Sequence, residues 1–104
     1  LIITGGFNVY PKEVELAIDA LPGVLESAVI GAPHPDFGEG VVAVIVPEAG
    51  ASLEEAAIRA ALPATLAKFK QPKAVAFRAA LPRNTMGKVQ KTVLREEFRD
   101  IFAS

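Results

Sequence analysis

Apolar residues recur along this chain with two periods, and the switches between them lay out its elements. Leu1, Ile2 and Ile3 give an apolar start that predicts a short strand over 1–4. Gly5 and Gly6 permit backbone conformations closed to other residues, so a turn is expected there. Val9 and Tyr10 continue into a second short strand. Val14, Ala17, Ile18 and Leu21 lie three and four apart, which predicts an amphipathic helix over 11–21. Pro11 suits its first turn, where a missing N–H costs nothing, and Glu13 and Glu15 sit near the positive end of its dipole. Pro22-Gly23 stops it.

The period then shortens. Ser27, Ala28, Val29 and Ile30 read as a strand, and the unbroken apolar run 41–46 reads as a central strand buried on both faces. Between them, residues 32–40 hold Pro33, Pro35, Gly38 and Gly40, which predicts a loop. Ser52 with Glu55 three residues on forms a capping-box pattern. The helix it opens offers Leu53, Ala56, Ala57, Ala60 and Ala61 for packing, and Pro63 should kink it or split it in two. Residues 73–78 alternate, with Val75 and Phe77 on one face, and form a third main strand. A polar loop over 81–88 precedes a last helix over 91–102 that carries Leu94, Phe98 and Ile101 on one face. This order predicts a single α+β domain over 1–104: a small mixed sheet of about three strands plus a short N-terminal hairpin, covered by helices.

Composition narrows the chemistry. No Cys is present, which removes disulfides, thiolate metal sites and a Cys nucleophile, and a single His excludes a multi-His site within the chain. No apolar run approaches the ~20 residues of a membrane span. A first residue of Leu1 inside an apolar strand, without a charged n-region or cleavage site, is expected of a piece cut from a longer protein rather than of a signal peptide. The lack of Cys and of a targeting segment fits a cytoplasmic origin. The net charge of -1 hides a division. Residues 1–58 carry one base and nine acids, a net of -8, whereas residues 59–104 carry ten bases and three acids, a net of +7. A weakly acidic chain can therefore still present a basic, phosphate-facing surface.

The run Pro82-Arg83-Asn84-Thr85-Met86-Gly87-Lys88 holds the most suggestive chemistry. On its own it reads first as a solvated lysine in a turn. The alternative is a mobile lysine that swings into a site and offsets charge developing on a phosphate or carboxylate. Gly5-Gly6-Phe7-Asn8 reads as a tight turn or as a close backbone approach to a ligand, and it is not a dinucleotide fingerprint. Lys68-Phe69-Lys70-Gln71-Pro72-Lys73 groups three bases around one aromatic and suits either solvation or a phosphate-bearing ligand. His34-Pro35-Asp36 matches a tripeptide of J-domain co-chaperones, but the long helical hairpin of that family has no counterpart here. There is no recognisable Ser/His/Asp triad.

Taken in order, three segments resemble one family. They are residues 2–15 around Gly5-Gly6-Phe7-Asn8, the run His34-Pro35-Asp36-Phe37-Gly38-Glu39, and Leu81-Pro82-Arg83-Asn84-Thr85-Met86-Gly87-Lys88 with the 68–73 cluster before it. The set is similar to the C-terminal domain of the adenylate-forming acyl-CoA synthetases, across essentially the whole chain. Within that superfamily, the stretch from Leu81 to Lys91 resembles the malonyl-CoA synthetases. The resemblance implies an enzyme that uses ATP and Mg2+ to turn a carboxylic acid, here malonate, into an acyl-adenylate, and then passes the acyl group to CoA with release of AMP. It implies a large N-terminal domain as the partner within the same chain, holding most of the ATP, Mg2+ and CoA sites, so that this domain alone is expected to be inactive. It places Lys88 at the adenylation step, and Gly5, Gly6, Phe7 and Asn8 beside the pantetheine tunnel in the thioester-forming step. Lys70 and Arg83 become candidates for CoA-phosphate or interdomain contacts, and Lys88 a candidate for acetylation by a protein lysine acetyltransferase. Neither nucleic acid nor membrane is implied as a partner. Two alternatives stand beside this reading. One is a non-catalytic module binding anions or nucleic acid through the basic half, and the other is an adenylation domain that loads a carrier protein.

Overall fold

The computed structural model describes residues 1–103. Its elements run β1 (Ile2–Thr4), β2 (Phe7–Val9), α1 (Pro11–Asp19), β3 (Val24–His34), β4 (Gly38–Pro47), α2 (Glu55–Ala61), β5 (Ala74–Phe77) and α3 (Lys91–Glu97), with 3-10 turns at Leu62–Ala64 and Lys68–Lys70. One mixed sheet of five strands results, as the alternating pattern predicts.

β4 organises that sheet. It pairs antiparallel with β3 along its whole length, from Val24↔Pro47 to His34↔Gly38. Its other edge takes β5 in parallel, from Val42↔Ala74 to Ile45↔Phe77. The same edge meets the β1–β2 hairpin through Thr4↔Gly38. Side chains alternate across a strand, so β4 feeds two cores. Val41, Ala43 and Ile45 join Ile2, Val9, Val14, Ile18, Ile58 and Leu62 under α1 and α2. Val42, Val44 and Val46 join Ala28, Ile30, Leu81 and Leu94 under α3. A strand covered on both faces needs apolar residues at every position, hence the unbroken run at 41–46. A register shift between Val24 and Glu26 turns Val24 to the same face as Val29, which keeps both in the first core.

Four expectations need correction. Residues 32–40 are not a loop: β3 extends to His34 and β4 begins at Gly38, leaving a tight turn. β3 is an edge strand, where Pro33 leaves no ladder bond unmade. Gly40 fits because the ring of Phe102 fills its side-chain space, and a Cβ there would lie 2.5 Å from Phe102 Cε2. Secondly, α2 is preceded by Glu54 with no side-chain cap, so the Ser52 capping box does not form. Thirdly, Ile58 and Leu62 anchor this segment, while Ala56, Ala57 and Ala60 face solvent. Arg59 then ties α2 to β5 by donating to the carbonyls of Pro72 (2.9 Å) and Lys73. Pro63 does break the helix, into the 3-10 turn at Leu62–Ala64. Fourthly, α3 stops at Glu97, and the following turns bring Phe98 and Phe102 against the second core.

Candidate active site

Lys88 lies at the end of a small hairpin closed by an antiparallel bridge between Arg83 and Val89. The Asn84 N–H donates to the Lys88 carbonyl at 3.0 Å, and the Gln90 N–H donates to the Pro82 carbonyl at 2.8 Å. Asn84 also organises the turn from within, because its Oδ1 accepts the N–H groups of Met86 (2.9 Å) and Lys88 (3.0 Å). A short polar side chain that copies a backbone acceptor is what allows so tight a reversal. Gly87 takes φ +82°, a left-handed conformation that favours glycine.

Charged groups brace both feet of the hairpin. Arg83 donates from Nη2 and Nη1 to Glu26 on β3 at 2.6 and 3.1 Å, and from Nε to the Gly87 carbonyl at 3.0 Å. The hydrogen bonds from Arg83, helped by its charge, hold the Glu26 carboxyl below its ordinary pKa against the opposing effect of partial burial. At the other foot Lys91 Nζ lies 2.7 Å from Glu15 Oε2, which also accepts the Val29 N–H at 2.9 Å. The Lys88 side chain is exposed, and among the described residues no acidic group lies within ion-pair distance of its ammonium. It borders a cleft of about 820 Å3 lined also by Lys12, Lys91 and Arg95, with Glu15 the only acid in the lining. Such a cleft favours an anion, and a lysine at its edge can meet a carboxylate or a phosphate.

The glycine loop serves a second cleft. Gly5 and Gly6 take φ +56° and +85°, and the Gly5 N–H donates to the Phe37 carbonyl at 2.9 Å. Phe7 stacks on Phe69 with centroids 4.7 Å apart, and Lys73 Nζ stands 4.5 Å above the Phe37 ring. Thr4, Gly5, Phe7, Phe37, Phe69 and the two lysines Lys68 and Lys73 enclose about 320 Å3, a largely apolar slot with cations at its rim. Asn8 is exposed on β2 opposite Ile3. The two clefts share no lining residue. Lys70 and Arg83, the other two candidates, are each paired within the domain: Lys70 with Glu13 at 2.9 Å, Arg83 with Glu26.

Glu26 escaped the sequence reading of the site, and Phe37 and Glu15 entered it only within longer runs, with no role of their own. Glu26 and Arg83 are 57 positions apart, and no local pattern signals such a pairing. The 68–73 cluster, by contrast, was legible as three bases around an aromatic. No group of three or more His, Asp or Glu converges among the described residues.

The model of the AMP-binding enzyme C-terminal domain matches residues 13–88, a span that ends on Lys88. The chain belongs to that family. Among curated relatives, an octahydroindenyl-propanoyl:CoA ligase of Rhodococcus jostii is 52% identical over 97 residues, 93% of this chain and 19% of that protein. A long-chain-fatty-acid–CoA ligase of Mycobacterium tuberculosis is 46% identical over 98 residues, 94% of this chain and 19% of that protein. Among solved structures, ATP-bound MatB from Rhodopseudomonas palustris superposes with a TM-score of 0.95 at 65% identity, over 98% of this chain and 20% of that one. The chain therefore spans about a fifth of the length of the relatives it matches. Within the family span, the 83–89 hairpin is the part that presents an unpaired cation to an anion-favouring cleft.

Proposed function

We propose that this chain is the mobile C-terminal domain of an AMP-forming acid–thiol ligase, an acyl-CoA synthetase whose large N-terminal domain precedes it. In the first half-reaction an oxygen of the acid attacks the α-phosphorus of ATP, the bond to the β-phosphate breaks, and pyrophosphate leaves. Lys88 holds the carboxylate against phosphorus and offsets charge in the transition state. In the second, the thiol of CoA attacks the acyl carbon, loses its proton, and AMP leaves. Gly5, Gly6, Phe7 and Asn8 then face the pantetheine path, and the two glycines suit it because a bulkier side chain in their place would obstruct the thiol. The observation that carries this reading is the presence of two clefts without a common residue, one at Lys88 and one at the glycine loop. A single bound acyl-adenylate cannot face both, so the domain must turn between the half-reactions.

The acid is malonate on this reading, because the run from Leu81 to Lys91 resembles the malonyl-CoA synthetases. Mg2+ is assigned to the N-terminal domain and supplies charge neutralisation at the phosphates. Acetylation of Lys88 by a protein lysine acetyltransferase would remove its charge and silence the first half-reaction. The setting is cytoplasmic.

The test uses the full-length enzyme. Lys88→Ala should lower pyrophosphate release at least a hundredfold while largely sparing thioester formation from supplied malonyl-adenylate. Gly6→Leu should do the reverse. Pyrophosphate release at the wild-type rate in Lys88→Ala would sink the assignment, and a substrate survey that finds malonate no better than other acids would remove the malonate reading.

A further inference from the structure

We propose that Arg83, acting through Glu26, is a positioning residue for Lys88. The proposal rests on Lys88 being the adenylation lysine.

The tip of the hairpin has little packing to fix it, whereas Val89 at one foot rests on the second core. Met86 is 89% exposed at its tip, and a Cβ built on Gly87 would meet nothing within 4 Å. Between that tip and foot, polar contacts hold the backbone that leads into Lys88. Those from Asn84 are internal to the turn: they set its shape but not its place on the domain. Arg83 supplies an external reference on the N-terminal side of Lys88. Its Nη atoms grip Glu26 Oε1 and Oε2 as a fork on β3, and its Nε donates to the Gly87 carbonyl, in the peptide that joins Gly87 to Lys88. One planar group thus connects the sheet to the backbone immediately before Lys88. Lysine in that position would keep the charge but could not make three such bonds in one plane.

The same geometry separates this role from a CoA-phosphate contact. The face of the guanidinium that grips oxygens in pairs is already engaged by Glu26, so a phosphate would have to displace a carboxylate held at 2.6 Å. A lysine swung from a displaced stem reaches its target in the wrong place, and an error of about 1 Å costs up to roughly a hundredfold in rate.

The full-length enzyme is tested as Arg83→Lys, Glu26→Gln and the double variant, with the two half-reactions assayed separately. Arg83→Lys should lower kcat for pyrophosphate release by about ten- to a hundredfold. The KM for CoA and thioester formation from supplied acyl-adenylate should stay unchanged. The double variant should be no worse than Arg83→Lys, since both remove one connection. A raised KM for CoA with adenylation intact would overturn the proposal in favour of a phosphate contact. Equal losses in both half-reactions together with a lowered Tm would overturn it in favour of a general structural role. Backbone hydrogen exchange over 83–89 distinguishes the proposal from the reading beneath it. Unchanged exchange in Arg83→Lys defeats the positioning role. Faster exchange there, combined with full pyrophosphate release in Lys88→Ala, supports the positioning and defeats only the chemistry given to Lys88.

Discussion

Gly5 and Gly6 share a left-handed backbone but differ in surroundings. A Cβ on Gly5 would stand 3.1 Å from Phe37 Cδ1, whereas one on Gly6 would meet nothing within 4 Å. Gly6→Ala should therefore cost only the left-handed penalty, about 1–2 kcal/mol. Gly5→Ala should cost more, because Phe37 must also give way, and Phe37 receives the Gly5 N–H. Urea unfolding of the two variants checks that order, and equal losses would refute it. The two glycines were visible in the sequence as a permissive pair. Which of them bears a steric load was not, because Phe37 arrives from a turn that the sequence pattern did not place.

At the scale of elements, Phe102 binds the turns that follow α3 to the β3–β4 hairpin. Its ring lies over Gly40 and against His34, with centroids 4.9 Å apart, and His34 in turn meets Phe37 at 4.8 Å. Gly40→Ala would drive a methyl into that ring, and a loss of about 1–3 kcal/mol is expected from the overpacking. Leu94 is the fully buried anchor of α3, and Leu94→Ala should cost about 2–5 kcal/mol. Thermal unfolding measures both, and a Gly40→Ala variant as stable as the parent would show that Phe102 is not docked as described. The helical spacing of Leu94, Phe98 and Ile101 marked Leu94 and Phe98 for the core, but it predicted too long a helix and the wrong last contact, since Ile101 is exposed and Phe102 packs instead. Periodicity reports which residues want burial, and Phe98 and Phe102 find it through turns after Glu97 as well as they would on a helix. The 32–40 segment misled for a related reason: proline and glycine mark loops locally, yet an edge strand tolerates Pro33, and Phe102 fills the space at Gly40.

For the whole molecule, the charge division acquires a structural meaning. Four acids of the first half meet four bases of the second: Glu13 with Lys70, Glu15 with Lys91, Glu26 with Arg83, and, next to the division itself, Glu55 with Arg59. The basic half is thus partly engaged in holding the domain together, while Lys68, Lys73, Lys88 and Arg95 have no acidic partner among the described residues. The Arg83–Glu26 pair gives a pH test. Glu26 titrates below its ordinary value of 4.5 in the folded chain. Its stabilising contribution is therefore complete above that value and is lost as pH falls through the lowered one. Wild type and Arg83→Ala should differ in urea midpoint at pH 7, and that gap should narrow as pH drops below about 4.5 and close in stronger acid. A gap that persists in acid would assign the loss to packing of the arginine stem instead.

What the sequence by itself determined is what short-range chemistry determines. Apolar periodicity gave α1, the doubly buried β4 and the break at Pro63, and the motif order gave the family and the candidate residues. The tertiary structure alone decided what sits against what. It set Phe37 against Gly5, Phe102 into the space of Gly40, and Glu26 against the arginine that braces the Lys88 hairpin. These contacts join residues far apart in the chain, and a contact that depends on how two distant segments pack leaves no periodic or compositional mark on either of them.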